Sequence, residues 1–255
     1  MPLEQYLPLQ VYGMLMVLAR TGSTVFLIPG IGETFVTNRV RLLFALGLSV
    51  AVAPVIAPSL PPEPANPAAL LMLLVGEVVI GIYFGLVARI LLLTLDTAGR
   101  IIAFSSGLAN AQAFNPSISE QGSLPGLFLT TLGIMMLFAT NMHYMLIRAI
   151  VDSYAVFPAG GALQIGDLSD ALARLVSGSF KVALQLAAPF VVVALLFFVA
   201  LGVLSRLMPQ MQIFFIGLPV QVALGFAITA TILGGLMGMF LDYYATNMVE
   251  YLVLR

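Results

Sequence analysis

Residues 207–241 read LMPQMQIFFIGLPVQVALGFAITATILGGLMGMFL, 35 consecutive positions without a charged side chain. A helix that crosses a membrane needs about 20 apolar residues. The run is therefore long enough to cross and too long for one simple span. Pro209, Gln210, Gln212, Pro219 and Gln221 fall inside it. A proline removes a backbone donor and clashes with the preceding turn, so the run divides into a broken element, Met208–Val220, and a helix from about Gln221 to Tyr244. Gly234 and Gly238 form a G-x-x-x-G pair on that helix, a spacing that lets another backbone approach closely.

The rest of the chain has the same character. Of 255 residues, 61% are hydrophobic and 8% charged, against roughly 25% charged in a soluble domain. Mean hydropathy is +1.09. So few charges cannot cover a soluble surface, and the class is an integral membrane or membrane-complex subunit. Ten basic and 11 acidic residues leave a net charge of -1, which offers nucleic acid no electrostatic footprint. With no Cys, one His and one Lys, thiolate metal sites, thiol nucleophiles and His-rich metal sites are excluded. No Walker A loop, G-x-S-x-G elbow or H-E-x-x-H is present. The sequence points to no cofactor and no enzyme.

Working outward, further apolar segments follow. One runs from about Leu9 to Ile28, interrupted by Arg20, and stops at Pro29-Gly30. The next, Leu42 to Leu60, ends in the stiff connection Pro61–Pro67. A third spans about Ala68 to Leu95 with Glu77 and Arg89 inside it. The fourth is the charge-free stretch Gln121–Ile147, helical from about Leu124. After a polar connection holding Asp152, Asp167, Asp170 and Arg174, the fifth covers Val182–Leu204. Six hydrophobic helical elements in one membrane-embedded unit over residues 1–255 are expected. A transmembrane barrel would show alternating strands of about ten residues instead. Lys and Arg divide almost evenly between the two sides of such a set, so they encode no orientation.

Glu77 is the sharpest candidate for function. A charge inside a hydrophobic segment costs about 2.5–3.5 kcal/mol on insertion scales and needs a partner or a wet cavity. Glu77, Gly81 and Gly85 share one helix face at i, i+4, i+8 spacing. That face is expected to meet protein. Glu77 is either part of a proton or ion relay or the partner of an arginine such as Arg20 or Arg89 in a helix interface. No second acidic residue shares its segment, which favours the ion pair. His143, near the end of the fourth segment, reads as a hydrogen-bonded interface residue rather than a ligand or base.

The stretch from Phe104 to Gly122 is small, polar and nearly uncharged. Gly107, Gly122 and the turn signal Asn115-Pro116 argue for a loop, which at membrane depth is tolerated only where it lines a cavity or is buried in protein. It is either an ordinary surface connection or a plug. As a plug, Phe114 would close a pore by excluding water, with Asn110, Gln112 and Asn115 satisfying nearby backbone groups. Ser119 and Glu120 complete the polar run.

Several of these residues resemble one family. Arg206-Leu207-Met208-Pro209-Gln210, followed by Phe214, Gly217 and Pro219, is similar to the R-x-x-P-Q-x-x-x-F-x-x-G-x-P stretch of the FliR family of the flagellar type III export gate. Arg20, Pro29, Arg39, Arg41, Glu77, Gly81, Gly99, His143, Ser153, Pro158 and Ala187-Ala188-Pro189 extend the resemblance over nearly the whole chain. Two positions depart from the pattern: Asn115-Pro116 stands where Asp-Pro is common, and Asn141-Met142-His143 where Gly-Gly-His is usual.

The resemblance implies a conduit component of the bacterial inner membrane and flagellar basal body. Its partners would be FliP-like and FliQ-like subunits, with FlhB-like and FlhA-like components, unfolded export substrates and membrane lipid. It further implies a subunit like a fusion of FliP-like and FliQ-like parts, with helical hairpins partly lifted out of the bilayer, and a plug at Gly107–Gly122. The element from Pro209 to Pro219 would be an intersubunit or hairpin-turn feature beside Arg206, in which Gln210 and Gln212 bond orphaned backbone groups. The alternative is a small secondary transporter or channel, which needs paired intramembrane charges and a repeat between halves. Neither stands out. A membrane enzyme would have to be built from His143 and Glu77, which lie on different elements.

Overall fold

Proline and asparagine punctuate a chain that is otherwise helical. The computed structural model describes residues 3–109, 122–161, 164–208 and 213–252. Its helices are α1 (Leu3–Leu27), α2 (Asn38–Ile56, followed by a 3-10 turn Ala57–Ser59), α3 (Pro67–Ser105), α4 (Leu124–Ala139), α5 (Met142–Val156), α6 (Ile165–Leu207) and α7 (Ile213–Leu252). There is no strand among the described residues. Four helical stretches, Asn38–Ser59, Pro67–Ser105, Ile165–Leu207 and Gly217–Leu252, are long and apolar enough to cross a membrane. The bent pair α4–α5 supplies a fifth if taken as one span. The fold is an all-α, multi-pass membrane fold.

Local chemistry explains most boundaries. The α1 helix stops before Pro29 and Gly30, the latter at φ 85°. Asn66 starts α3, its side-chain Oδ1 accepting from Ala68 N at 2.9 Å. Ser123 does the same for α4, its Oγ accepting from Gly126 N at 3.0 Å. Such caps satisfy donors that have no partner inside the helix.

Three expectations are corrected. The fourth segment is not one helix: it breaks at Thr140–Asn141, where Asn141 adopts φ 59°. Asparagine tolerates this left-handed region better than other non-glycine residues, which accounts for Asn where the resembling family usually has Gly. His143 accordingly sits at the start of α5, not toward the end of a longer helix. The polar connection around Asp167, Asp170 and Arg174 is helical and forms the beginning of α6. Pro219 does not end an element; α7 starts at Ile213 and passes through it. A proline seven residues into a helix forfeits one hydrogen bond, and membrane helices absorb such losses.

At 39, 43 and 40 residues, helices α3, α6 and α7 are each about 60 Å long at 1.5 Å per residue. Hydrocarbon is only about 30 Å thick. Each helix therefore has length to spare outside it.

The chain divides into two compact units. The first comprises residues up to Leu91, Phe138–Leu175 and the stretch from Ala245. Val17, Val52, Ile56 and Tyr154 form a core there, joined by Leu48, Leu60 and Val151. Thr21 and Ser49 hydroxyls meet at 2.5 Å between α1 and α2. Tyr83, Phe84 and Phe157 pack edge to face, with ring centres 5.7–6.3 Å apart, the geometry that aromatic quadrupoles favour.

The second unit comprises Leu92–Leu137 and Val176–Tyr244. In it, Gly99 of α3 lies against the Gly126 backbone of α4, and Gly133 against Leu92, Leu95 and Phe240. Ser179 and Tyr243 share a hydrogen bond of 3.0 Å.

Candidate functional site

Arg20 lies on the face of α1 that also carries Ser23 and Thr24, and Glu77 on the face of α3 that carries Gly81 and Gly85. A helix brings positions four apart onto one side. Arg20 and Glu77 are each 1% exposed. Two N–H groups of the guanidinium grip the carboxylate: Nε donates to Oε2 at 2.7 Å and Nη2 to Oε1 at 3.1 Å. This fork-to-fork pairing is the strong form of the interaction. Nη1 donates to Ser153 Oγ at 3.0 Å and Nη2 to the Phe157 carbonyl at 2.9 Å. Four of the five guanidinium N–H groups are thereby satisfied. The Tyr154 ring lies under the guanidinium, 3.7 Å from Cζ to the ring centre, a cation–π placement.

The glycines make this approach possible. A Cβ at Gly81 would strike Ser23 Oγ and the Arg20 carbonyl, and one at Gly85 would strike Leu27. Thr24 Oγ1 donates to the Gly81 carbonyl at 3.0 Å, so α1 and α3 are joined by backbone contact as well as by charge. The three residues spaced four apart therefore face α1 of the same chain. Arg89, the other candidate partner of Glu77, pairs with Glu33 at 2.5 Å instead.

The arrangement is a tripod that ties α1, α3 and the end of α5 together. No second carboxylate joins Arg20 and Glu77 among the described residues. No cluster of metal-ligating side chains occurs among them either. Ser153, Tyr154 and the Phe157 carbonyl were not singled out as partners of Arg20 from the sequence. The signal was present in the arithmetic: five donors in an apolar helix demand more acceptors than one carboxylate provides.

Of the polar loop, Gly107 and Gly122 are described, at φ 73° and 90°. Asn110, Gln112, Phe114, Asn115, Pro116, Ser119 and Glu120 lie outside the described residues. Where the loop leaves α3, Gln221 of α7 donates from Nε2 to the Ser105 carbonyl at 2.8 Å. The Gln221 side chain lies against Gly107, and Gly225 lies against Ser106. Gln221 thus secures the root of the loop, a role its position inside a long apolar run did not reveal. Arg206 is exposed in the last turn of α6 and Pro219 is exposed within α7. Pro209, Gln210 and Gln212 lie outside the described residues. At Gly234 and Gly238, no described atom beyond the helix's own backbone comes within 4 Å of a Cβ position. That pair does not pack on the described part of its own chain.

Comparison with known proteins gives a consistent match. Residues 11–246 match the family described as bacterial export proteins, family 1. A flagellar biosynthetic protein FliR from Caulobacter vibrioides is 37% identical over 235 residues, 92% of this chain and 94% of its own length. The FliR of Escherichia coli is 31% identical over 207 residues, covering 80% of this chain and 78% of that one. The Yop proteins translocation protein T of Yersinia pestis is 31% identical over 157 residues, 60% of each chain.

Proposed function

This chain belongs to the bacterial export proteins, family 1, the family of the flagellar proteins FliR, and from that premise we propose that it is a structural, pore-forming subunit of the flagellar export gate. Membership makes it a multi-pass membrane component of a flagellar type III export apparatus. The finer reading is ours: the chain assembles with FliP-like and FliQ-like subunits in the inner membrane, alongside FlhB-like and FlhA-like components. Together they conduct unfolded flagellar proteins outward. The observation that carries this is the 37% identity to a FliR over 92% of the chain.

Two structural features support it. Helices of about 60 Å exceed one hydrocarbon thickness, as suits a subunit only partly immersed in lipid. The small-residue face at Gly234 and Gly238 is open, and such faces in membrane helices are sites of close helix approach. The energy for export comes from elsewhere in the machine, since the chain carries no nucleotide-binding motif. Mass spectrometry of the complex recovered on a tagged copy from native membranes in mild detergent tests the assembly. Stoichiometric FliP-like and FliQ-like chains are expected; recovery of this chain alone would remove the gate reading in favour of a small transporter or channel.

The polar loop Gly107–Gly122 is assigned as the plug. Its composition suits a segment lining a cavity, and its described root is fastened by Gln221. Deleting residues 109–119 is expected to leave assembly intact while the membrane leaks ions and small solutes. Unchanged permeability in cells carrying the assembled variant would sink the plug assignment.

A further inference from the structure

We propose that the hollow between α1, α2 and α5 is a binding site for one acyl chain of an anionic phospholipid, with Arg39 and Arg41 holding the phosphate. The cavity measures about 360 Å³, within the range of sites that take small ligands. Val25 of α1 and Ile28 just after it, Val40 and Phe44 of α2, and Leu146 and Ile150 of α5 are among its walls. His143 is the lone residue in the wall with a polar side chain. Its Nδ1 is buried without a hydrogen-bond partner.

Neither vacuum nor water suits this space. Close-packed interiors leave few voids larger than a water molecule, and a stable buried water needs two to four polar partners. One imidazole nitrogen does not supply them. A hydrocarbon chain fills a carbon-lined hollow without leaving any hydrogen bond unmade.

The mouth decides which hydrocarbon. Val40 and Phe44 line the hollow yet are 54% and 39% exposed, so it opens along the first turns of α2. Arg39 and Arg41 flank Val40 in sequence, and no acidic residue stands in the first turn of that helix. Neither arginine makes an ion pair among the described residues; Arg41 donates from Nη2 to the Glu33 backbone carbonyl, while its Nε is buried and unbonded. The nearby carboxylate of Glu33 is taken by Arg89. Two arginines without acidic partners therefore stand in the first turn of a helical stretch long and apolar enough to cross a membrane, and the ends of such a stretch, where it crosses, meet the lipid phosphates. Their complement is an anionic headgroup whose tail enters the hollow. The inference rests on the chain's being membrane-spanning and is independent of the plug and the pore.

The test is native mass spectrometry of the tagged complex from native membranes, after delipidation and addition of equimolar phosphatidylglycerol and phosphatidylcholine. The wild type is expected to retain phosphatidylglycerol preferentially. With each arginine near the surface contributing a factor of about five, Arg39→Gln with Arg41→Gln is expected to reduce the preference by about thirtyfold. Ile147→Trp, which fills the hollow from α5, is expected to lower retention of both lipids. Equal retention of the two lipids by the wild type would overturn the proposal. Should the double variant fail to assemble, p-benzoylphenylalanine in place of Phe44 decides the occupant in intact membranes. A lipid adduct is expected, and cross-links to protein alone would overturn the proposal and give the groove to a neighbouring subunit.

Discussion

Glu77→Ala leaves the Arg20 guanidinium buried and stripped of its carboxylate, and the expected result is loss of the folded subunit. Breaking a buried ion pair by removing one partner costs about 3–5 kcal/mol, a large part of the 5–15 kcal/mol that holds an ordinary domain together. The amount of chain in the membrane fraction, and the amount recovered in complex, should therefore fall far more than export per assembled complex. Removing both charges, Arg20→Met with Glu77→Leu, should restore much of the loss, because no uncompensated charge then remains. It should not restore all of it. Ser153 Oγ, fully buried, and the part-buried Phe157 carbonyl lose their donors from Arg20, and a buried polar group left unsatisfied costs about 1–3 kcal/mol. Normal assembly of Glu77→Ala with export alone abolished would instead make Glu77 part of an ion relay.

Gly99→Leu is expected to be nearly as damaging, for a steric reason. A Cβ at Gly99 would meet backbone atoms of Pro125 and Gly126, and backbone at the capped start of a helix cannot rotate aside as a side chain can. Overpacking typically costs about 1–3 kcal/mol and occasionally more. Here it also pushes α4 off α3 beside the described end of the polar loop. Gly234→Ala provides the contrast. Nothing described lies within 4 Å of its Cβ position, and alanine is about 0.8–1.0 kcal/mol better than glycine in a helix interior. The isolated chain should be unharmed or stabilised by it, while recovery of unlike partner subunits should drop if that face packs against them. Thermal unfolding of the purified variants, read beside co-purification, separates the two effects. Equal stability of Gly99→Leu and wild type would show that α3 and α4 do not meet there.

The family resemblance was legible in the arrangement of Arg206, Pro209, Gln210 and Pro219, and the family comparison agrees with it. Much of the site around Glu77 was legible too. Its spacing to Gly81 and Gly85 announced a face that meets another backbone, and Arg20 was one of two possible partners. The choice between Arg20 and Arg89 was not legible. Both interrupt apolar segments, and only the packing of α1 on α3 puts Glu33 within reach of Arg89 and leaves Arg20 for Glu77. Ser153, Tyr154 and the Phe157 carbonyl were invisible for the same reason: they lie more than 130 positions from Arg20 in sequence.

The sequence by itself determined that this is a helical membrane protein, that α1 stops at Pro29-Gly30 and that the second helical stretch is over before Pro61, because hydropathy and proline act over a turn or two of local chain; the change from α-helix to 3-10 turn at Ile56 was not legible. Tertiary structure decided what local chemistry leaves open. It carried α6 back through Asp167 and Arg174, where hydropathy falls but helix geometry does not. It let α7 run through Pro219, since one lost hydrogen bond is small against a 40-residue helix. It broke the fourth segment at Asn141, where no glycine or proline announced a turn. A buried charge must find its partner wherever the fold delivers one, and that choice belongs to the packing of distant helices rather than to neighbouring residues.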